Sequence, residues 1–362
     1  MFTPVTPVGS GHPEFTPGGT GTEPGTRPGG PARLPIPPSL RRLASSPALR
    51  VAGRRILISI PVLWGVTFLA FIVENALPGD AAAVLLGANA TPAEIRAESI
   101  KLHLNEPFLV RYWDWLSAAL HGNLGNSLYS GQPVASILAQ RIPVTIDLVV
   151  YALVLTLVIS VPLAVLCAHR PGGIADRVIM ALAMGGLSIA PIVLALLLIQ
   201  VFSGYLHNLL PAIASGTGND LRDLTMPALT LALPLAAFYT RFLRADLIEQ
   251  MQSEDYVVTA LAKGLSRWRV LIRHALRNSF IGLLTVIGLN LATLIGVTVI
   301  AESIFGLAGV GDELLQAIQH RDVPLLEGIV LVFAGFVVIV NLLTDLLYGV
   351  LDPRIRHGRS RS

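Results

Sequence analysis

Five charged residues fall in or beside long apolar stretches: Glu74, Asp147, Arg241, Glu302 and Asp345. A charge in hydrocarbon is costly, so such residues mark either a transport pathway or a helix anchored by an internal partner. Arg241 and Asp345 lie near one end of their stretches, and Glu74 and Asp147 near the other, where water is within reach. That position favours anchoring or packing. No pattern supports hydrolytic chemistry. A Gly-x-x-x-x-Gly-Lys-Ser/Thr phosphate cradle and a His-Glu-x-x-His pair are both absent from the sequence. The eight histidines are scattered without ligand spacing, and none sits mid-stretch to serve a serine as base. Cys167 is the only cysteine, so an intrachain disulfide is excluded and a cysteine metal site is unsupported. The chain reads as neither an enzyme nor a metal protein: no catalytic and no metal-ligating residues are assigned.

The most informative segment is polar and short. It runs from Ser253 to Gly264, between two apolar stretches. Ser253 is suited to an N-cap, Glu254 and Asp255 to a first turn where the helix dipole favours anions, and Lys263 to a last turn. Gly264 can supply the left-handed residue that stops a helix. About three turns of helix are expected, with Ala260, Ala262 and Gly264 permitting close backbone approach, Tyr256 as an anchor, and Asp255 and Lys263 as rim charges. Such a helix either receives force from a soluble partner or lies on lipid as an amphipathic linker. The local pattern fits both.

The elements that must position it are membrane spans. The chain has 362 residues, of which 53% are hydrophobic and 14% charged. Soluble domains carry nearer a quarter charged. Six segments meet the requirement of about 20 apolar residues: 56–77, 144–168, 178–203, 225–243, 280–300 and 327–348. They lack the alternation of a barrel, so an all-α integral membrane protein with six transmembrane helices is expected. Prolines 61, 162, 191 and 234 can kink spans. Twenty of the 26 basic residues fall in the tails and in the second and fourth connections, against six on the other side. By the positive-inside rule both termini and the 253–264 helix are cytoplasmic. The basic residues thus report topology rather than nucleic-acid binding.

Residues 1–50 are rich in Pro, Gly, Thr and Ser and are expected to be a disordered cytoplasmic tail. A secretory signal is not expected, because the first apolar run starts only at Ile56 and is too long. The outside loop 78–143 is too long for a simple connection and should hold small helices. Thr91-Pro92-Ala93-Glu94 reads as a capping box with Pro at the first helical position. A second helix starts at Pro107 and carries Tyr112, Trp113 and Trp115, aromatics suited to a membrane interface. Gly122-Asn123-Leu124-Gly125-Asn126-Ser127 should turn. After Gly264, Ser266 can cap a helix with Trp268, Leu271, Ile272, Ala275 and Leu276 on one face and Arg269, Arg273 and Arg277 on another, facing lipid headgroups.

From about Leu57 to Arg356 the chain resembles the B-type membrane permease of the dipeptide/oligopeptide (peptide/nickel) ABC importers. The motifs, in order, are Leu77-Pro78-Gly79-Asp80; Gly122 to Ser127 with Pro133-Val134; Asp255-Tyr256, Thr259-Ala260 and Ala262-Lys263-Gly264-Leu265; Arg273 to Asn278; Glu302 to Leu307; Arg321-Asp322; and Leu351 to Arg356. Asn123 stands where Asp is commoner, and Val258-Thr259-Ala260 stands where the general coupling loop has Glu-Ala-Ala.

The resemblance implies a type I importer permease fold over 51–358, with the coupling helix between the fourth and fifth spans. It implies that Asp255, Tyr256, Thr259, Ala260, Lys263, Gly264 and Leu265 meet a cytoplasmic ATPase. It implies that Gly122, Asn123, Leu124, Gly125 and Ser127 contact an extracytoplasmic substrate-binding protein. The implied partners are a homologous C-type permease subunit, two ABC ATPase subunits or domains, the binding protein and membrane lipid. ATP and Mg would be bound by the ATPases, with no cofactor in this chain. The implied place is the bacterial cytoplasmic membrane. Peptides are the expected cargo, with nickel or another small solute as an alternative. An ion-driven transporter would need broken helices and internal duplication, and neither is evident in the sequence.

Overall fold

The computed structural model describes residues 47–76, 81–87, 90–101, 105–206, 210–211, 213 and 220–351. The expected tail over 1–46 and the C-terminal motif beyond Leu351 lie outside them. Among the described residues the chain is helical, with one isolated bridge between Asn126 and Pro133. Helix α1 (Pro47–Ala76) begins inside the segment expected to be tail. The loop that follows carries α2 (Ala81–Leu86), α3 (Pro92–Lys101) and α4 (Phe108–Leu120). Then come α5 (Val134–His169), α6 (Ile174–Ser188), α7 (Pro191–Leu198), α8 (Leu221–Ser253), α9 (Asp255–Ala262), α10 (Arg267–Val270), α11 (Leu276–Phe305), α12 (Val310–His320) and α13 (Val323–Leu351).

Among the described residues four helical stretches have the length and apolarity to cross a membrane: α5, α8, the 39-residue run Arg267–Phe305, and Val323–Asp345 of α13. The first expected span, 56–77, lies in α1 as far as Ala76, and its described apolar part is Leu57–Val73. At 1.5 Å per residue that part covers about 25 Å, close to the ~30 Å core. The third expected span, 178–203, is not one straight helix. Helix α6 and the Pro191–Tyr205 helix meet at 107°. Pro191 explains the break: it takes the first position of α7 and holds Ala190 extended, at φ −63° and ψ 142°. Pro61, Pro162 and Pro234 instead lie within continuous helices. After α7 the helix widens into a π-helical stretch, Ile199–Tyr205.

Local signals explain the small outer helices. The Thr91 backbone N–H and hydroxyl both donate to Glu94 Oε2 at 2.8 Å, and the Glu94 N–H returns to the Thr91 hydroxyl at 3.4 Å. These bonds hold the Glu94 carboxyl below the usual range. The capping box therefore forms as expected. Helix α4 packs across α1 through edge-on rings: Phe108 and Tyr112 against Phe68 and Phe71. The buried Tyr112 hydroxyl pairs with Thr67 Oγ1 at 3.1 Å.

The most extensive helix pair is α5 with α8; α8 then meets α11, α11 meets α13, and α13 meets α1. Inside this stack Thr156 is fully buried, and its hydroxyl donates to the Ala152 carbonyl at 2.7 Å. Between α11 and α13 the backbones come very close: a β-carbon at Gly288 would fall inside the Thr344 side chain. Small residues at such seams are what permits helix association where lipid removes the hydrophobic drive. Gly288→Leu should therefore wedge the seam open and destabilise the protein by about 1–3 kcal/mol. The check is a lower unfolding temperature in detergent, with Gly335→Leu as control, since a β-carbon there meets nothing within 4 Å.

Candidate functional site

The polar segment forms a separate helix, though shorter than expected. Ser253 does not cap it. It closes α8, and its hydroxyl donates back to the Glu249 carbonyl at 2.6 Å. Because α8 continues that far, the corner falls on Glu254, extended at φ −92° and ψ 127°. Helix α9 then has eight residues, Asp255–Ala262, about 12 Å long. Its end is built as the sequence suggests. Gly264 is left-handed, with φ at +84°. The Gly264 N–H donates to the Leu261 carbonyl at 2.9 Å and the Leu265 N–H to the Ala260 carbonyl at 3.2 Å, the paired bonds of a Schellman stop.

One face of α9 belongs to the protein's own core. Val257 and Ala260 are buried in a cluster with Met251, Val270, Leu271 and Ala275. Tyr256 is half-buried, and its hydroxyl donates to Gln250 Oε1 at 2.8 Å; the Asn278 amide donates to the same oxygen at 2.8 Å. Burial, then the Glu254 carboxylate, push the Tyr256 hydroxyl above the usual phenol range, so it remains a donor. Leu265 is half-buried against the same cluster. Asp255, Thr259, Lys263 and Gly264 are exposed. Exposed with them are two apolar side chains that the sequence reading passed over: Val258 at 63% and Leu261 at 40%. They lie three apart, hence on one helix face, and that spacing was the available signal.

Asp176, in the first turn of α6, joins that helix to α8. Arg244 grips it with two N–H arms, the Nη2 arm at 2.7 Å, and the Gly172 N–H adds a bond at 2.8 Å. The carboxylate is nearly fully buried, so the guanidinium is its compensation. The chain leaving α9 is capped by Ser266, which accepts from the Arg269 N–H at 3.4 Å. It passes through a π-helical turn, Leu271–Ala275, into α11, with Leu271 and Ala275 buried and Trp268 and Ile272 exposed.

The opposite end is closed by two buried carboxylates. Glu302, near the end of α11, accepts from the Thr145 hydroxyl at 2.7 Å, from the Gly311 N–H at 2.6 Å and from the Asp312 N–H at 3.2 Å. It therefore caps α12, while the Val310 N–H donates to Thr145 Oγ1 at 2.9 Å. Glycine is needed at 309 and 311, where a β-carbon would meet this carboxylate. Asp322 binds the loop signature. Its carboxylate accepts from the Ser127 hydroxyl, from the Leu128 N–H at 3.0 Å and from the Tyr129 N–H at 3.3 Å. Among the five loop residues, Ser127 is thus buried, and Leu124 packs partly into the core with Val134 and Ile329. Gly122, Asn123 and Gly125 are exposed, with the Asn123 side chain accepting from the Gly125 N–H at 3.0 Å.

The sequence and the helical architecture match known proteins. A family model described as "binding-protein-dependent transport system inner membrane component" matches residues 160–357. The model of the corresponding N-terminal part matches 48–149. The chain is a membrane permease of the binding-protein-dependent transport family. A probable peptide ABC transporter permease of Sinorhizobium fredii is 37% identical to it, over 84% of this chain and 98% of that protein. The dipeptide transport system permease DppB of Escherichia coli is 34% identical, over 84% and 98%. Among solved structures the inward-facing MetNI methionine ABC transporter superposes with a TM-score of 0.50 at 18% identity, covering 60% of this chain and 96% of that one. The permease thus has the type I importer fold and is a multi-pass membrane protein.

The remaining charges of the permease separate by partner. Asp345 pairs with Arg55 at 2.8 Å, Arg241 and Asp147 are exposed, and the Glu74 side chain lies outside the described set. Glu302→Ala should leave the Gly311 and Asp312 N–H groups buried without an acceptor and cost about 3 kcal/mol. Glu302→Gln, which keeps one acceptor oxygen, should cost less. Thermal unfolding of both variants in detergent checks the order.

Proposed function

We propose that this permease is one membrane subunit of an ATP-driven peptide importer and that α9 is its coupling helix. One observation carries the coupling assignment. A helix of eight residues, fixed on one face by its own core and stopped by a left-handed glycine, presents Val258 and Leu261 outward between two membrane helices. Exposed apolar residues rimmed by Asp255 and Lys263 suit a groove on a soluble protein. The sequence has no ATP cradle of its own, so the energy comes from ATPases that receive α9. The positive-inside charge pattern supports a cytoplasmic position for α9 and both termini. A homologous permease completes the pathway, and the exposed part of the 122–127 loop faces an external binding protein. The peptide cargo follows from the named relatives.

Val258→Asp combined with Leu261→Asp should remove two apolar anchors of about 2 kcal/mol each. The ATPases should then fail to co-purify while the permease stays in the membrane. Normal co-purification would sink the coupling role. At Gly264 a side chain has room, since nothing lies within 4 Å of a β-carbon, but the left-handed backbone costs a β-branched residue about 1–2 kcal/mol. Gly264→Val should therefore weaken uptake without preventing insertion; full transport with ATPases attached would refute it. For cargo, proteoliposomes holding the complete transporter should accumulate labelled di- or oligopeptides on ATP addition. Uptake of nickel in place of peptides would overturn that part alone.

A further inference from the structure

We infer, on the coupling role given to α9 above, that Gln250 is the positioning residue through which a displacement of α9 reaches α11. Gln250 lies in the last turn of α8. Its Oε1 oxygen accepts twice: from the Tyr256 hydroxyl of α9 at 2.8 Å and from the Asn278 amide of α11 at 2.8 Å. A side-chain carbonyl oxygen has two lone pairs, so both bonds form together. One atom thereby joins three helices. Among the described residues, Tyr256 has the only side chain of α9 that hydrogen-bonds to another helix. The inward contacts of Val257 and Ala260 are apolar. Apolar contact is non-directional and lets helices slide or rotate on one another. A hydrogen bond weakens steeply when it leaves its line, so this pair fixes direction as well as distance.

The covalent route from α9 to α11 is less direct. From Ala262 it runs through the Gly264 turn, α10 and the π-helical turn Leu271–Ala275 before α11 begins. Each of these interrupts the regular helical ladder that would carry a push along one axis. Asn278 lies beyond all of them, within α11, so the bond through Gln250 bypasses the breaks. Gln250 is itself held. About 9 Å back along α8, Arg244 grips Asp176 of α6. That tie makes the end of α8 a fulcrum, with Tyr256 as one arm and Asn278 as the other.

The test uses the assembled transporter in nanodiscs, with and without ATP and vanadate, read by hydrogen–deuterium exchange of α9 and of residues 276–284. In the wild type ATP should change exchange in both. In Gln250→Leu, which removes the acceptor, the change in α9 should persist. The change at 276–284 should shrink about fivefold, the equivalent of one neutral hydrogen bond. Gln250→Glu, whose carboxylate accepts from the same two donors, should behave as the wild type. Arg273 and Arg277 line the cavity beside Tyr256 and Asn278 and offset its charge. The two bonds act in series, so Tyr256→Phe and Asn278→Leu combined should lose no more of the response than either alone. An undiminished change at 276–284 in Gln250→Leu, a diminished one in Gln250→Glu, or additive losses from the two arms would overturn the role of Gln250 and leave the coupling role of α9 standing. A wild type in which ATP leaves α9 itself unchanged would remove both.

Discussion

The carboxylate of Glu302 is the acceptor on which one end of the permease is assembled. The first N–H groups of a helix that starts inside the protein are out of reach of water, so the acceptor must come from within. Glu302 is fully buried and supplies it for α12, while Thr145 on α5 connects the same carboxylate to the Val310 N–H. Three helices are thereby joined through one side chain. Asp322 repeats the device: it binds the 127–129 turn and also accepts from the Leu325 N–H at 3.4 Å in the first turn of α13. Such networks are stabilising only when every member is satisfied, which makes the glycines at 309 and 311 as necessary as the acid.

The other end is built on a different plan. Its buried charge, Asp176, is neutralised by Arg244, so the start of α6 is tied to α8, the helix that leads into α9. Helix α9 has one face in the core and one outside. A displacement of the outer face must therefore move Met251, Val270 and Leu271, which lie under it, and with them α8 and the foot of α11. This is the mechanical requirement for a part that passes force from a soluble protein to membrane helices. A surface helix resting on lipid would not need that shared core.

Features that depend on a few consecutive residues were legible in the sequence. The Thr91–Glu94 box, the Gly264 stop and the Ser266 cap each rest on hydrogen bonds within four or five residues. Segments of about 20 apolar residues report the spans for the same reason, since the bilayer sets a length that one segment alone must meet. Pro191 was visible as a possible kink, yet whether a proline bends or breaks a helix depends on how neighbours repair the backbone. Pro61 and Pro162 sit in unbroken helices, whereas Pro191 starts a new one at 107°.

By itself, the sequence determined the membrane class, the approximate spans, the polar helix between the fourth and fifth of them and its glycine stop. Each follows from local propensity or from the cost of placing polar groups in hydrocarbon. Only the tertiary structure decided which face of α9 is free. Val257 and Ala260 turn inward and Val258 and Leu261 outward because α8 runs on through Ser253 and sets the rotation of the next helix. It also decided that Ser127 serves Asp322 across 195 positions of chain. The length of an apolar run carries no information on such pairings, which arise only when distant helices pack side by side.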